Sequence, residues 1–300
     1  MSDIKRCGTV SLLGRPNVGK SSIMNALIGE KVAIVSPKPQ TTRNRIIGVL
    51  TEGDSQFVFM DTPGLHSPQS KLGDRMVRTI YETADEVDAA LLVIEAKGDA
   101  RIGKPEEKLI NRLKSLELPV ILVINKIDIT EKLSILPWID VYSKAYPFKE
   151  IIPVSAKTGE GLDDLTKSLR ELLPEIEEGA SPLFGEDELT DQPERVIAAE
   201  FVRERLLWHL EKEIPHGIAT LTESFEDNQG VAEVAVVIVC EKMSHKGIII
   251  GKGGSMLKTI GSEARAEMEK LFGCRVYLTL YVRVKDDWRN SDYMLKEFGY

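Results

Sequence analysis

The chain has 300 residues, 42% hydrophobic and 29% charged, with 23 Gly, 14 Pro and a formal net charge of −8. At roughly 150 residues per domain that length suggests two globular domains, and the composition excludes a disordered or collagen-like chain. No run reaches the roughly 18 to 20 apolar residues of a spanning helix, and Cys7, Cys240 and Cys274 are too few and too scattered for a disulfide framework or a zinc site. The charge is unevenly placed: residues 1–174 carry 24 Lys and Arg against 23 acids, residues 175–192 carry seven acids and no base, and residues 193–300 carry 15 bases against 17 acids. Whole-chain charge therefore does not exclude a polyanionic partner for either end.

The N-terminal stretch Met1–Arg6 lacks the apolar region and small-residue cleavage site of a secretory signal, so a cytoplasmic chain is expected. From Gly8 to Pro174, strand-length apolar runs alternate with amphipathic stretches of helix length, the pattern of an open, mostly parallel sheet covered by helices. Strands are expected at Thr9–Leu13, Ile46–Thr51, Phe57–Asp61, Ala89–Ile94, Val120–Ile124 and Ile151–Ser155, six in all. The second and third form a hairpin around Glu52-Gly53-Asp54-Ser55. Helices are expected after Gly19 and near 74–84, 105–116, 135–145 and 162–173, with Pro105 in a first turn and Pro174 as a stop.

Between the first strand and the first helix, Gly14-Arg15-Pro16-Asn17-Val18-Gly19-Lys20-Ser21 fits the pattern G-x-x-x-x-G-K-[ST]. Main-chain N–H groups of such a loop wrap phosphates at the positive end of the following helix. Lys20 would bring a point charge to the β- and γ-phosphates and Ser21 a hydroxyl to Mg²⁺. The expected nucleotide-binding set here is Asn17, Val18, Gly19, Lys20, Ser21 and Ser22.

Three later segments decide which nucleotide. Asp61-Thr62-Pro63-Gly64 follows a strand, offering a magnesium-side carboxylate and, at Gly64, an N–H that can sense a γ-phosphate. Asn125-Lys126-Ile127-Asp128 ends the next-to-last strand, at the edge where open α/β sheets bind ligands. A carboxylate at Asp128 can accept from both N1–H and the exocyclic amine of guanine, a pairing adenine cannot offer, so GTP is expected over ATP. This argues against a metabolic kinase built on the same loop. Ser155-Ala156-Lys157 closes the pocket after the last strand, with the Ala156 N–H expected to meet the base oxygen.

Residues 175–192, EIEEGASPLFGEDELTDQ, read as an exposed acidic linker. The unit from Pro193 to 300 opens with a helical pattern (Val196, Ala199, Val202, Leu206, Leu207, Leu210) whose Arg203 and Arg205 are most simply its solvated side. Strand runs 218–225 and 231–239 follow, then a glycine-rich loop, a helix near 255–271 and a final strand 274–284. The loop carries G-x-x-G at Gly251–Gly254. From Lys242 to Lys258 there are four lysines and no acid.

This order of elements matches the type II KH module, a smaller α+β fold whose G-x-x-G turn clamps single-stranded nucleic-acid backbone. Lys246, Ile250, Gly251, Lys252, Gly253, Gly254 and Lys258 are the expected RNA contacts. Glycines admit the phosphodiester to the main chain, and the lysines and helix-start N–H groups face phosphates. The Ile248–Ile250 run is expected in the core, with one member also facing bases. Trp288 is expected to pack against the module.

Taken together, GRPNVGKS, PQTTR, DTPGL, NKID and SAK resemble the Era family, and the likeness spans essentially the whole chain. The resemblance implies a translation-factor-type GTPase domain (1–174), a linker (175–192) and a KH domain (193–300). It also implies binding near the 3′ end of small-subunit ribosomal RNA, a role in maturation of the small ribosomal subunit, a monomer, and peripheral association with the cytoplasmic membrane. By it Thr41 and Thr42 lie in the first switch loop; Thr42 is the expected ligand of Mg²⁺ and the γ-phosphate, with Thr41 the alternative. Lys20, Thr42 and Gly64 are the expected catalytic positions. Asn17 resembles the asparagine with which some related GTPases hold K⁺ beside the phosphates, the alternative being a loop-forming role. Leu65 stands where Ras-like enzymes carry a water-orienting Gln, so slow intrinsic hydrolysis is expected; His66, one residue on, is a candidate to position water.

Overall fold

The computed structural model describes residues 4–177 and 179–300. Met1–Asp3 of the N-terminal stretch and Glu178 of the acidic segment lie outside the described residues. The chain divides into two units: Met1–Ala33, Thr42–Ser67 and Arg75–Asp191 form the first, and Ile34–Thr41, Pro68–Asp74 and Gln192–Tyr300 the second.

In the first unit a six-stranded sheet runs β2(Ile46–Glu52), β3(Ser55–Asp61), β1(Arg6–Gly14), β4(Ala89–Glu95), β5(Val120–Asn125), β6(Glu150–Pro153). Only the β2–β3 hairpin is antiparallel. Every residue of β3 and β5 is buried, as expected of strands covered on both faces. Alternate residues feed two cores. Leu12, Phe57, Leu91 and Val123 pack with Ile23 and Met24 of α1(Lys20–Ile28) and Leu165 and Leu169 of α5(Leu162–Leu172). Leu13, Leu92 and Leu122 pack on the other face with Ile80 of α2(Lys71–Asp85), Leu109 and Leu113 of α3(Lys104–Ser115) and Tyr142 of α4(Leu136–Ala145). Parallel register brings the carboxyl ends of β1, β3 and β5 to one edge, with Leu12 opposite Asp61 and Glu95 opposite Asn125.

The acidic segment does not leave this unit as a free strap. Val49 N–H donates to the Leu189 carbonyl at 2.8 Å, Thr190 Oγ1 to the Ile47 carbonyl at 2.6 Å, and Gln56 exchanges hydrogen bonds with the Phe184 main chain. β2 would otherwise present unpaired edge groups, and residues 184–190 use some of them. The described acidic residues of the segment are exposed, which is all their composition required.

The second unit contains α6(Glu194–His209), β7(Ala219–Asn228), β8(Val231–Cys240), α7(Met243–Ile250), α8(Ser255–Phe272), β9(Arg275–Val284) and a short α9(Asp292–Glu297). The sheet order is β7-β8-β9, the first pair antiparallel and the second parallel. Phe201, Val202 and Leu206 of α6 and Ile260, Ala264 and Met268 of α8 share one core with Val234, Val236 and Ile238 of β8. Two departures from the sequence reading stand out. The run before G-x-x-G is a helix, α7: Ile249 is buried in the core, Ile250 half-buried and Ile248 exposed, a helical rather than an all-core distribution. Arg203 and Arg205 are not solvated; Arg203 is fully buried and Arg205 largely so, and each is paired with a glutamate of α6. Trp288 is buried, its Nε1–H donating to the Gly217 carbonyl at 3.0 Å.

Candidate functional site

At the carboxyl edge of the first sheet the chain turns from β1 into α1 through Gly14–Gly19. Gly14 (φ 146°) and Gly19 (φ 98°) adopt conformations that a side chain resists, and a Cβ on Gly19 would lie 2.1 Å from Asn125 Nδ2. Asn17 also has positive φ, 63°, which by itself favours asparagine. Lys20 is buried, with Nζ donating to the carbonyls of Gly14 (3.3 Å) and Arg15 (3.1 Å). Burial pushes its ammonium down to about 8, with the Asp61 charge working against that fall. Val18 is buried, and Ser22 is half-buried in the first turn of α1.

Ser21, Thr42 and Asp61 converge beside Lys20. Asp61 Oδ2 accepts from Ser21 Oγ at 2.5 Å and Thr42 Oγ1 at 3.0 Å, and the two hydroxyls are themselves 3.0 Å apart. Asp61 is buried, and its Oδ1 has no hydrogen-bond partner among the described residues. Burial raises its carboxyl above the usual range, opposed by Lys20, both hydroxyls and a main-chain hydrogen bond. A dry carboxylate with an unmatched oxygen beside two hydroxyls is a hard-oxygen set that suits Mg²⁺. Thr41 turns away: its hydroxyl donates to the Lys38 carbonyl at 2.7 Å.

Gly64 explains itself by space, since a Cβ there would meet Pro16 Cα at 2.6 Å. Leu65 N–H donates to the Gly14 carbonyl at 2.9 Å while its side chain, 4% exposed, joins the apolar core. His66 Nδ1 lies 2.8 Å from the Gly64 carbonyl, and its Nε2 is buried without a hydrogen-bond partner among the described residues.

Asn125 joins the phosphate loop to the base end of the site. Its Nδ2 donates to the Val18 carbonyl at 2.8 Å and its Oδ1 accepts from Ala156 N–H at 3.1 Å. That N–H, expected to face a base oxygen, is therefore engaged by Asn125. Lys126, held at φ 68°, reaches the Asn17 carbonyl and Glu95, both at 2.7 Å. Ser155 Oγ donates to Asp128 Oδ1 at 2.8 Å, leaving the exposed carboxylate oriented, and Lys157 is exposed nearby in sequence. Sequence reasoning missed the brace under the loop: Arg15 pairs with Glu106, a buried carboxylate that also accepts from Tyr142 Oη (3.0 Å) and Gly103 N–H (2.9 Å). The capping spacing of Gly103 and Glu106 was the available signal.

In the second unit α7 ends at Gly251 (φ 74°), and Gly253 and Gly254 continue at φ 60° and 81° before α8 begins. Lys252, Gly253 and Lys258 are exposed, and Lys246 is half-buried. Beside this turn lies a groove of about 430 Å³, lined by Gly254 of the turn, by Leu257, Lys258, Gly261 and Arg265 of α8 and by Tyr277 and Leu280 of β9, among others. The β9 wall was not foreseen. Gly261 was its legible sign: glycine inside a helix costs about 1 kcal/mol relative to alanine, and here a Cβ would press on Leu280 at 3.3 Å.

A G-x-x-x-x-G-K-S loop and an Asn-Lys-Ile-Asp segment at the carboxyl edge of an open α/β sheet, followed in the chain by a KH fold, define a KH-bearing GTPase. Residues 9–126 match the family model of the 50S ribosome-binding GTPase and residues 213–289 that of the KH domain. The chain is 48% identical over 296 residues to GTPase Era of Ruminiclostridium cellulolyticum, covering 98% of this chain and 97% of that one. It is also 48% identical to GTPase Era of Alkaliphilus oremlandii, with 98% and 99% coverage. Among solved structures it is similar to Era in complex with MgGDPNP and nucleotides 1506–1542 of 16S ribosomal RNA (TM-score 0.92, 40% identity, 99% of both chains). A variant of Aquifex aeolicus Era bound to GDP and AlF4⁻ matches with TM-score 0.91 and 40% identity over 98% of this chain and 99% of that one. The chain belongs to the Era family of GTPases.

Proposed function

We propose that this chain is a GTP-hydrolysing switch that binds small-subunit ribosomal RNA near its 3′ end and acts in maturation of the small ribosomal subunit. The observation that carries the reading is the end-to-end likeness to Era holding MgGDPNP and a 16S fragment. Asn17 to Ser22 surround the phosphates, Lys20 supplies their countercharge, and Gly64 presents its N–H to the γ-phosphate. Ser21 and Thr42 hold Mg²⁺, with Asp61 on the same side; the ion, when bound, neutralises charge building on the phosphoryl oxygens. Asp128, Asn125, Lys126, Ser155, Ala156 and Lys157 form the guanine end. Gly251–Gly254, with Lys246, Ile250, Lys252 and Lys258, clamp the RNA backbone, while the groove between α8 and β9 takes bases. The domain reading keeps 1–174 and 193–300 as the two working parts. No helix among the described residues is long and apolar enough to cross a membrane; a ribosomal partner places the work in the cytoplasm. The test is crosslinking to a 16S 3′-end RNA in the GTP and GDP forms, with Gly253→Asp as control.

The buried Lys20 gives a pH dependence whose sign can be worked out. Without nucleotide its ammonium titrates at about 8; bound phosphates hold the proton well above that. Above pH 8, then, binding must take up a proton, and GTP affinity falls about tenfold for each further pH unit, while below pH 8 this contribution is flat. Calorimetry in buffers of different ionisation enthalpy measures the proton uptake directly. An affinity unchanged across the unit above pH 8 would remove Lys20 as the titrating group.

Asn17 would hold K⁺ beside the phosphates, and the ion would supply the charge that an arginine finger supplies elsewhere. Turnover in KCl is expected to exceed that in NaCl at equal ionic strength by about tenfold or more, a fraction of the roughly 10³–10⁵ that an arginine finger contributes to phosphoryl transfer. Indistinguishable rates would leave Asn17 with its loop-forming role alone.

A further inference from the structure

Thr42 hangs from a segment whose anchor is a helix far away in sequence. Residues 34–41 belong to the second unit, and α6 holds them at both ends. Ile34 is buried in the core that contains Phe201 and Val202. The Glu204 carboxylate, 1% exposed, accepts Val35 N–H at 2.8 Å, and Trp208 Nε1–H donates to the Val35 carbonyl at 3.0 Å. At the other end Arg203 Nη2 donates to the Thr41 carbonyl at 2.5 Å. Ser36, Lys38 and Thr41 close the loop between them with their own hydrogen bonds.

Arg203 is 1% exposed, and a buried guanidinium is costly unless it is both paired and hydrogen-bonded. Glu200 supplies the pair, accepting from Nε at 2.8 Å and Nη2 at 2.5 Å. That pair alone would serve equally well in solvent, on the outside of α6. What burial adds is the hydrogen bond to the Thr41 carbonyl. The carbonyl of residue 41 and the N–H of residue 42 share one planar peptide unit, so fixing Thr41 O fixes the plane from which Thr42 extends. Thr42 Oγ1 is the atom 3.0 Å from both Ser21 Oγ and Asp61 Oδ2.

We propose that Arg203 is a positioning residue for GTP hydrolysis: by holding the Thr41–Thr42 peptide plane it sets the Thr42 hydroxyl toward Mg²⁺ and the γ-phosphate. Arg203 touches neither nucleotide nor metal and acts only through that plane. The inference rests on the reading of Thr42 given under Proposed function.

The full-length protein tests it in three variants, each measured for GDP affinity, for affinity toward a non-hydrolysable GTP analogue with and without Mg²⁺, and for single-turnover hydrolysis. Arg203→Met with Glu200→Gln removes both charges at similar volume, an exchange buried pairs tolerate. It is expected to keep wild-type GDP affinity while the Mg²⁺-dependent preference for the triphosphate falls about tenfold and hydrolysis slows with it, as for a lost charged donor. Arg203→Lys, which keeps one donor for the carbonyl, should restore part of that preference. Thr42→Ala separates the two readings. If Thr42→Ala abolishes the preference and the Arg203 variants retain it in full, the positioning role is overturned and the Thr42 reading stands; if Thr42→Ala itself retains the preference, the Thr42 reading falls and takes this inference with it. A variant that weakens GDP and the GTP analogue equally would mark Arg203 as structural only, which also overturns the proposal. Should the Met variant not fold, Arg203→Gln, whose amide falls short of the carbonyl, is read by the same criteria.

Discussion

Replacing Asp128 by asparagine is expected to weaken GTP binding by about a hundredfold or more and to erase the preference for guanine, with the phosphate loop left intact. Two donors of guanine meet one carboxylate in this reading, and hydrogen bonds to a charged acceptor are worth about 1.5–3 kcal/mol each. An amide offers only one acceptor oxygen and turns a donor toward the base. The side chain is exposed, so the fold does not depend on it, and Ser155 Oγ, which donates to it, can still donate to the amide oxygen. Titration with GTP, ATP and inosine triphosphate, which lacks the exocyclic amine, measures the effect. If GTP affinity survives the change, the guanine end has been misassigned, and a melting temperature close to wild type would rule out unfolding as the cause of a loss.

The second large effect is expected at Gly253, where aspartate should abolish crosslinking to 16S 3′-end RNA. Gly253 has φ 60°, a conformation aspartate enters more readily than most residues, and a Cβ built there meets nothing within 4 Å. The module should therefore fold. What changes is electrostatic: a carboxylate stands where a phosphodiester must approach, beside the exposed Lys252, and partly cancels the charge of the loop. A loss of about a hundredfold or more in RNA affinity is expected, with GDP affinity and thermal unfolding near wild type. Undiminished crosslinking in both nucleotide forms would place the RNA elsewhere.

The nucleotide-binding fold was legible because its signals are local. Apolar runs of strand length, a glycine loop at a strand-to-helix junction and motifs at strand ends are each written in one short contiguous stretch, and parallel register gathers those ends without further instruction. The second unit was less so. Ile248–Ile250 reads only as a core-bound run because three β-branched residues in a row carry no period; the backbone makes it the last turn of α7, with Ile249 alone of the three taken into the core. Arg203 was unreadable for a deeper reason. A charged residue on an amphipathic helix is presumed solvated unless its partner is known, and here that partner is a main-chain carbonyl 162 positions earlier, invisible to any pattern of side-chain types. The β9 wall of the groove beside α8 was signalled by Gly261 alone, since alternation along one strand does not say which face a helix will leave uncovered.

Leu65 bears on how long the switch stays on. Its backbone is tied to Gly14 and its side chain is packed among aliphatic neighbours, so the position a water-orienting amide would need is filled by the core itself. A glutamine there would have to bury its amide in that cluster or tear the segment from the phosphate loop, and the unpaired amide alone would cost roughly 1–3 kcal/mol. Packing, and not only the choice of one residue, thus denies a water-orienting amide a place at position 65. Slow unaided turnover is the expected result, so that on this reading the triphosphate form would be a timer stopped by what surrounds the protein.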